Sequence, residues 1–283
     1  MPKAATLTKK TESRAPTAAH AIVRPGMDER RALTIGPATG TLYGELDGEL
    51  LECLPRAIRD DSVLADLGAQ PLRRGPERSV WRWNELVIKL YGRGDVRDLL
   101  RPSQARRAAE THARLLPIRS PRPRCALAIR SLGLLAGSAL VYEFVEGPDL
   151  SAIWRRNEAA DRCLPELMAA MHERRIFHGD FHARHLIWNQ GAWVVIDLDS
   201  LRHPLRKLRL RTLAVNEWAR LVIELGASDA LRGAFEAYLV ARRSSWDTHA
   251  AWAAVVRRTE DIETSMAHRR AANEQRAQPY VRP

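Results

Sequence analysis

The sequence predicts an α+β protein with two lobes, a small strand-rich N-lobe followed by a helical C-lobe. Three observations favour this class. The chain has 283 residues, of which 45% are hydrophobic, so it is long enough to bury a core. Bulky and β-branched residues alternate on both sides of the turn at Asn84-Glu85, which is typical of a hairpin. After Asp149 the apolar residues recur with helical spacing instead.

Changes in composition along the chain suggest where the lobes begin and end. Residues 1–40 are rich in Ala, Thr, Pro and Gly without a steady period, and we expect a mobile N-terminal extension. Residues 41–145 are then the N-lobe and residues 146–283 the C-lobe. Near the start of the N-lobe the pattern is weak and predicts one short helix over about 51–67, broken by Pro55.

Within the N-lobe, a hairpin is followed by a helix and two further strands. The hairpin arms are predicted at 79–83 and 86–91, and the second arm carries Lys89. Strong helix formers after a serine cap predict a helix over 103–116. Strands are predicted at 126–130 and 139–144. The C-lobe patterns predict a helix at 161–174, a short hairpin at 186–188 and 193–197, and helices at 211–225, 228–242 and 246–272.

The composition limits the classes of partner and compartment. There are 45 Lys+Arg against 34 Asp+Glu, a net charge of +11 that favours anionic partners without choosing among nucleotide, nucleic acid, acidic lipid and phosphorylated sugar. The three cysteines are widely spaced, which is typical of reduced thiols in a cytosolic protein. No apolar run approaches the ~18 residues that cross a bilayer, and no secretory signal is recognised. We therefore expect a cytoplasmic protein.

Four charged residues occur in the order that phosphoryl transfer requires. This chemistry needs a carboxylate beside the attacking hydroxyl, a carboxylate that holds Mg²⁺, and a cation on the nonreacting phosphates. Asp180 follows a predicted helix on a loop, where it can accept a hydroxyl proton. Asp197 ends an apolar strand and can bind metal. Lys89 is the only lysine between positions 10 and 207, and Glu110 on the next helix can pair with it.

The region from about 79 to 225 resembles the kinase-like fold, and within it the bacterial lipopolysaccharide core kinases, the Kdo/heptose kinase family. His178-Gly179-Asp180 stands where protein kinases have His-Arg-Asp, and His185 takes the place of their metal-binding Asn. Asp197-Leu198-Asp199-Ser200 replaces Asp-Phe-Gly. The segment Asn216-Glu217-Trp218-Ala219-Arg220-Leu221 is similar to an Asn-x-x-Arg-Leu helix of that family.

The resemblance implies an ATP- and Mg²⁺-dependent kinase that phosphorylates a hydroxyl of a lipopolysaccharide inner-core sugar. Such an enzyme would work at the cytoplasmic face of the inner membrane, with peripheral contact and without nucleic acid as a partner. His182 and His185 are candidates for nucleotide contact, and His185 also for metal. Asp199 either assists Asp197 at the metal or holds local backbone. The basic residues of 202–211 could bind an anionic sugar or an acidic membrane surface.

Other interpretations stay open at this point. The pattern also fits a small-molecule kinase of the aminoglycoside-phosphotransferase kind or a Rio/Bud32-like serine/threonine kinase. His185 and the absence of a Gly-x-Gly-x-x-Gly loop fit a catalytically silent binding module. The close spacing of His178, Asp180, His182 and His185 is a weaker indication of a metal hydrolase. Because only about 14 residues follow Asp197 before the next helical pattern, a small acceptor is favoured over a protein.

Overall fold

A computed structural model confirms the predicted α+β class and its division into two lobes. It describes residues 22–23, 30–75, 77–92, 102–115, 117–131, 134–201 and 210–277. An antiparallel sheet with the strand order β1-β2-β3-β7-β8-β6-β5-β4 forms the N-lobe. Its strands are β1 (Ile22–Val23), β2 (Arg30–Ile35), β3 (Ala38–Tyr43), β4 (Gln70–Arg73), β5 (Arg78–Trp83), β6 (Leu86–Tyr91), β7 (Pro123–Ser131) and β8 (Leu134–Glu143).

Among the described residues, the N-lobe has the helices α1 (Gly48–Ala57), α2 (Val63–Asp66) and α3 (Gln104–Leu115). The described part of the C-lobe contains a small antiparallel hairpin and several helices. These are α4 (Leu150–Ile153), α5 (Glu158–Glu173), β9 (Leu186–Asn189), β10 (Ala192–Val195), α6 (Leu210–Leu225), α7 (Asp229–Ala241) and α8 (Thr248–Ala277). None of these helices has the length and apolarity needed to cross a bilayer.

The strand β6 is buried on both faces, because helices cover the two sides of the sheet. Successive side chains of a strand point to opposite faces. Ile88 and Leu90 pack into the apolar cluster with α1 and α2, whereas Tyr91 packs with the alanines of α3. Lys89 lies on the same face as Tyr91 and is 4% exposed. A lysine is rarely buried to this extent without a charged partner, so its position requires acids nearby.

The structure corrects two expectations near the start of the chain. The expected boundary at residue 40 is wrong, because β2 and β3 pair with each other and β3 pairs with β7. Residues 30–43 therefore belong to the N-lobe sheet. The single helix broken by Pro55 is also wrong, since Pro55 lies inside α1 and the chain turns after it, over 58–62. Confirmed expectations include α3, which Ser103 caps by accepting a hydrogen bond from the Arg106 amide.

The C-lobe core places the loop that carries His178-Gly179-Asp180. It contains α5, α6, α7 and the first half of α8, with Trp218 and Phe235 fully buried between them. Phe177 and Phe181, on either side of this tripeptide, are also fully buried. Because these two rings are fixed in the core, the residues between them have little freedom to move.

Candidate active site

Asp180 has a carboxylate that is 49% exposed. Arg220 of α6 donates from Nη1 to its Oδ1 at 3.1 Å. The His182 ring is next to the same oxygen, with Nε2 at 3.2 Å. The second carboxylate oxygen has no such neighbour among the contacts that the structure describes. The group is therefore oriented by a cation but remains accessible to an acceptor hydroxyl.

A buried glutamate fixes the backbone of this loop. Glu217 of α6 is 3% exposed, and its Oε1 accepts hydrogen bonds from the amides of His178 and Gly179. Its Oε2 lies 2.7 Å from Nε2 of His172, whose Nδ1 is 2.8 Å from the Tyr238 hydroxyl. Gly179 has a φ of 77°, which favours glycine. Because a buried carboxylate is costly without partners, these contacts make the loop geometry specific.

Four residues form an outer cluster around the catalytic loop: Asp180, His182, Arg220 and Glu224. His182 bonds to Glu224 through Nδ1, and Glu224 also accepts the Ala183 amide at 2.7 Å. Arg220 lies 3.3 Å from Nε2 of His182. This chain of contacts ties Asp180 to α6 while leaving it half exposed.

A second set, the inner cluster, is made by Lys89, Arg78, Tyr91, Asp197 and Asp199. The Lys89 ammonium donates to Asp197 Oδ1 at 2.5 Å and to Asp199 Oδ2 at 3.2 Å. Burial works against the charged ammonium, but Tyr142, Asp199 and Asp197 raise the pKa of Lys89 above its ordinary value. The lysine is therefore charged at neutral pH.

Asp199 is held more tightly than Asp197. Arg78 donates to its Oδ2 at 3.0 Å, and the Tyr91 hydroxyl donates to its Oδ1 at 2.9 Å. Its side chain is 5% exposed, against 22% for Asp197. Of its two expected roles, metal binding and local anchoring, this geometry favours anchoring, here of Lys89.

Glu110 does not pair with Lys89 as expected. Its Oε1 instead accepts a hydrogen bond from Arg106 Nε at 2.7 Å, one turn earlier on α3, and its side chain is 35% exposed. The physical reason is that Asp197 and Asp199 already surround the lysine from the C-lobe side. Any role of Glu110 in nucleotide binding remains a prediction.

His185 lies between Asp197 and the loop that carries Asp180. Asp197 has a φ of 56° and a ψ of 55°, in the left-handed region, which directs its carboxylate towards Lys89. Although burial opposes the charge, Lys89 dominates and lowers the pKa of Asp197 to about 2. His185 lies 2.9 Å from the Asp180 carbonyl through Nδ1 and 3.6 Å from Asp197 Oδ2 through Nε2. Burial, together with His178, lowers the pKa of His185 to about 4, so it is neutral at pH 7.

No group of three or more His, Cys, Asp or Glu side chains is arranged to bind a metal in the part of the chain that the structure describes. The hydrolase cluster of His178, Asp180, His182 and His185 is therefore not formed. His178 instead points Nε2 at the Ile196 carbonyl, 2.8 Å away. A kinase metal needs only one or two protein carboxylates, because phosphates supply the other ligands. Asp197 with His185 remains a candidate for that smaller set.

A small cavity of about 20 Å³ adjoins the inner cluster. It lies between α3 and the sheet, where Lys89, Asp197 and Asp199 share its wall with Ala109, His112 and Tyr142. This volume holds about one water molecule.

Sequence reasoning assigned no site role to five residues: Arg78 and Tyr91 of the inner cluster, Arg220 and Glu224 of the outer cluster, and the loop anchor Glu217. The last three recur on α6 at helical spacings of three and four, so a search for polar residues on its inner face would have found them. The sequence does not single out Arg78 as a site residue, because arginine is common in this chain and supplies 40 of its 45 basic residues. The basic residues at 202, 206, 207 and 209 lie outside the described residues, and Arg211 lies over the Trp246 ring.

The comparisons with known proteins agree with this geometry. The model of the phosphotransferase enzyme family matches residues 84–203, which include Lys89, Asp180 and Asp197. A solved structure titled WaaP in complex with acyl carrier protein is 17% identical, with a TM-score of 0.51, covering 71% of this chain and 91% of the other. The chain has the two-lobed kinase-like fold of that structure. It is a phosphotransferase that acts on an alcohol group.

Two further structures are similar to this kinase at lower scores. An amicoumacin kinase in complex with AMP-PNP, Ca²⁺ and its ligand is 13% identical with a TM-score of 0.49, covering 68% of this chain and 80% of the other. A GDP and kanamycin complex of an aminoglycoside phosphotransferase is 12% identical with a TM-score of 0.48, covering 73% and 88%. No curated protein sequence matches the chain.

Proposed function

We propose that this kinase uses ATP to phosphorylate a hydroxyl of a lipopolysaccharide inner-core sugar. The observation that carries the proposal is the position of His185 between the two clusters. Its ring contacts the backbone carbonyl of Asp180, whose carboxylate is half exposed, and lies 3.6 Å from Asp197, whose carboxylate is held by a buried lysine. Phosphoryl transfer depends on one acid that orients the attacking hydroxyl and another that holds Mg²⁺.

Asp180 is the residue that receives the acceptor hydroxyl. Its ion pair with Arg220 orients the carboxylate. The acceptor proton moves from the hydroxyl oxygen to Asp180 as that oxygen attacks the γ-phosphorus, and the bond between this phosphorus and the bridging oxygen of the β-phosphate breaks, which releases ADP. A positioned base of this kind contributes about 10²- to 10⁴-fold to the rate.

The inner cluster supplies the cations for the nucleotide. Lys89 and Arg78 are the positive groups of the inner cluster that can neutralise phosphate oxygens. Arg78 is the first residue of β5 and follows the β4–β5 turn, where the sequence has no glycine-rich motif. Asp197 and the neutral imidazole of His185 are the groups that would hold Mg²⁺. The donor set fits, because Asp197 Oδ2 lies on the side of His185 and Lys89 bonds the other oxygen. A bound Mg²⁺ would neutralise charge on the transferring phosphate.

The acceptor assignment rests on charge and on the sequence resemblance. The chain has a net charge of +11, and Arg220 places a cation directly at the reacting carboxylate. Both features favour an anionic sugar, and core lipopolysaccharide at the cytoplasmic face of the inner membrane is such an acceptor. Peripheral contact with that membrane would follow from the location of the sugar.

A small-molecule kinase of the aminoglycoside kind is the second candidate, because the matching family is described as phosphotransferases in general. A silent binding module is a third candidate, because Lys89 and Arg78 both approach Oδ1 of Asp197, the acid expected to hold the metal.

The test is transfer of labelled phosphate from [γ-³²P]ATP to purified core lipopolysaccharide, kanamycin and a protein substrate in parallel. Wild type is compared with Asp180→Asn, which keeps the size of the side chain and the Arg220 contact. We expect transfer to core lipopolysaccharide and a loss of at least about 10²-fold in the variant.

Each other result identifies a different function. Transfer to kanamycin alone would replace the sugar assignment by the second candidate. Nucleotide binding, measured by isothermal titration, without Asp180-dependent transfer to any of the three acceptors would support the silent module. Transfer that is equal in wild type and Asp180→Asn would contradict the assigned role of Asp180.

A further inference from the structure

A polar cleft lies between α6 and α8, next to the catalytic loop. Its volume is about 250 Å³, slightly below that of a typical small-molecule pocket, and it is open to solvent. Side chains and backbone from three segments line it, among them Gly179, Asn216, Arg220, Arg258, Ser265 and Arg269. Nothing in the proposed handling of the nucleotide uses this cleft.

Two arginines of α8 give the cleft its chemical character. Arg258 donates through Nε to the Asn216 side chain, which holds the guanidinium at the wall. Arg269 lies three turns along the helix and donates through Nη2 to Ser265 at 3.0 Å. A guanidinium has five N–H donors, and the described contacts use only part of them. Both groups can therefore still bind an anion, and in a bidentate manner.

The acids that line the cleft leave this charge largely uncompensated. The Glu217 carboxylate faces the catalytic loop and is saturated by two backbone amides and His172. Asp261 is 68% exposed and lies 3.6 Å from Arg258 Nη1, a distance at which an exposed pair contributes little. An incoming anion competes only with this weak contact.

The cleft also adjoins the loop that carries Asp180. Arg220 lines it and donates to Asp180, and Gly179, which precedes Asp180 in the loop, lines it as well. A ligand in the cleft therefore contacts the arginine that holds the Asp180 carboxylate on one side and lies next to Arg258 and Arg269 on the other. This geometry suits a molecule that has a hydroxyl at one end and a negative charge at the other.

We propose that the α6–α8 cleft is the acceptor subsite and that Arg258 and Arg269 bind a carboxylate or phosphate group of the acceptor sugar. The proposal deepens the proposed function and rests on it for the reaction. It implies that an acceptor sugar without an anionic group binds weakly in this cleft. Asn216 and Ser265 provide further polar groups for sugar hydroxyls.

Binding is measured on the full chain by isothermal titration with ADP and Mg²⁺ present, so that no transfer is needed. The probes are 3-deoxy-D-manno-octulosonic acid for a carboxylate, glucose 6-phosphate for a phosphate, and glucose as the neutral reference. The variants are Arg269→Gln and Arg258→Gln. The matched control is Arg162→Gln, which removes an arginine from an exposed pair with Glu158 on α5, away from the cleft.

We expect one of the two anionic probes to bind better than glucose, and which one binds identifies the charged group. Each cleft variant should weaken that probe about tenfold, while the control should leave it unchanged. Asp261→Asn should act in the opposite direction and tighten binding, because it removes the competing acid. Arg258 also links α8 to α6 through Asn216, so Arg258→Gln could lower the melting temperature. In that case the result for Arg269→Gln decides the test.

The proposal is overturned if glucose binds as well as both anionic probes, or if Arg269→Gln binds the preferred probe like wild type. Failure of the reaction is distinguishable from failure of the subsite. Arginine-dependent binding without transfer to core lipopolysaccharide would keep the subsite and reject the proposed function. Transfer that is unchanged in both cleft variants would keep the function and reject the subsite.

Discussion

The inner and outer clusters are built from the same kinds of charged residue but differ in burial. In the inner cluster, Lys89 and Asp199 are each 5% exposed, and their charges are balanced by direct ion pairs. In the outer cluster, Asp180 is 49% exposed and Arg220 31%, so water solvates both groups as well. Coulomb energies are several times larger in the less polar surroundings of the first pair than of the second.

This difference separates two tasks that a kinase needs. The inner cluster is an arrangement in which the loss of one charge leaves others buried without a partner. The outer cluster is adaptable, because its members can exchange a protein partner for water or for a substrate hydroxyl. The rigid part suits the fixed positioning of a nucleotide and the exposed part suits proton transfer to Asp180.

Lys89→Met should have the largest effect on stability. It keeps the apolar stem but leaves Asp197 and Asp199 with Arg78 as the only described cation beside them. Removing one partner of a buried pair costs about 3–5 kcal/mol of the free energy of unfolding. Asp180→Asn, by contrast, should cost less than about 1 kcal/mol because its ion pair is exposed. Urea unfolding of both variants measures the contrast.

The double variant Lys89→Met/Asp199→Asn is the control for this comparison. It should recover part of the lost stability, because one of the two unpaired acids is neutralised, yet it should not recover ATP binding. Equal destabilisation by Lys89→Met and Asp180→Asn would contradict the distinction between the two clusters.

The free energy of unfolding should also depend on pH through His112, which lies beside the inner cluster. This imidazole lines the cavity and lies 2.6 Å from the Ser120 hydroxyl through Nδ1. Burial lowers its pKa below the ordinary 6.5, Arg122 and Arg30 act in the same direction, and Glu143 acts against them. As the pH falls, His112 is therefore protonated in the unfolded chain before it is protonated in the folded chain. Its contribution to the free energy of unfolding is present above about pH 6.5 and is lost as the pH falls below that value.

His112→Gln should therefore give a flatter dependence of unfolding free energy on pH between about 7 and 5. The matched control is His249→Gln, at an exposed position on α8, which should keep the wild-type slope. Urea unfolding at several pH values measures both. An unchanged slope in His112→Gln would show that the buried ring does not contribute.

Much of the fold could be predicted from the sequence, because its strongest signals are local. The hairpin around Lys89 and the helix begun by Ser103 follow from alternation and capping, and both are confirmed. Strands β2 and β3 were missed, since their small and polar residues lack an apolar pattern and gain their order by pairing with β7. Propensity cannot supply information that resides in a distant strand.

The sequence predicted the order of the charged site residues along the chain but not which of them form ion pairs. Lys89, Asp180 and Asp197 stood out by type and spacing, whereas the partner of Lys89 was assigned to the wrong element. The choice between Glu110 and Asp199 depends on which acid reaches the buried ammonium, and this is a property of packing between lobes. Glu217 was missed as a loop anchor for the same reason, because its contacts are 38 and 39 residues away in the chain.

Glu110→Gln should have the smallest effect, and for that reason it tests the pairing of Lys89 most directly. In the structure Glu110 forms only an exposed pair with Arg106, worth about 0.3–0.5 kcal/mol. We expect the unfolding free energy to change by no more than this and kcat/KM for ATP to change less than about threefold. Asp199→Asn is the matched substitution on the other candidate partner and should lower kcat/KM by at least about tenfold. Steady-state kinetics at varied ATP measures both, and the reverse order of the two effects would mean that Lys89 leaves Asp199 for Glu110 when the nucleotide binds.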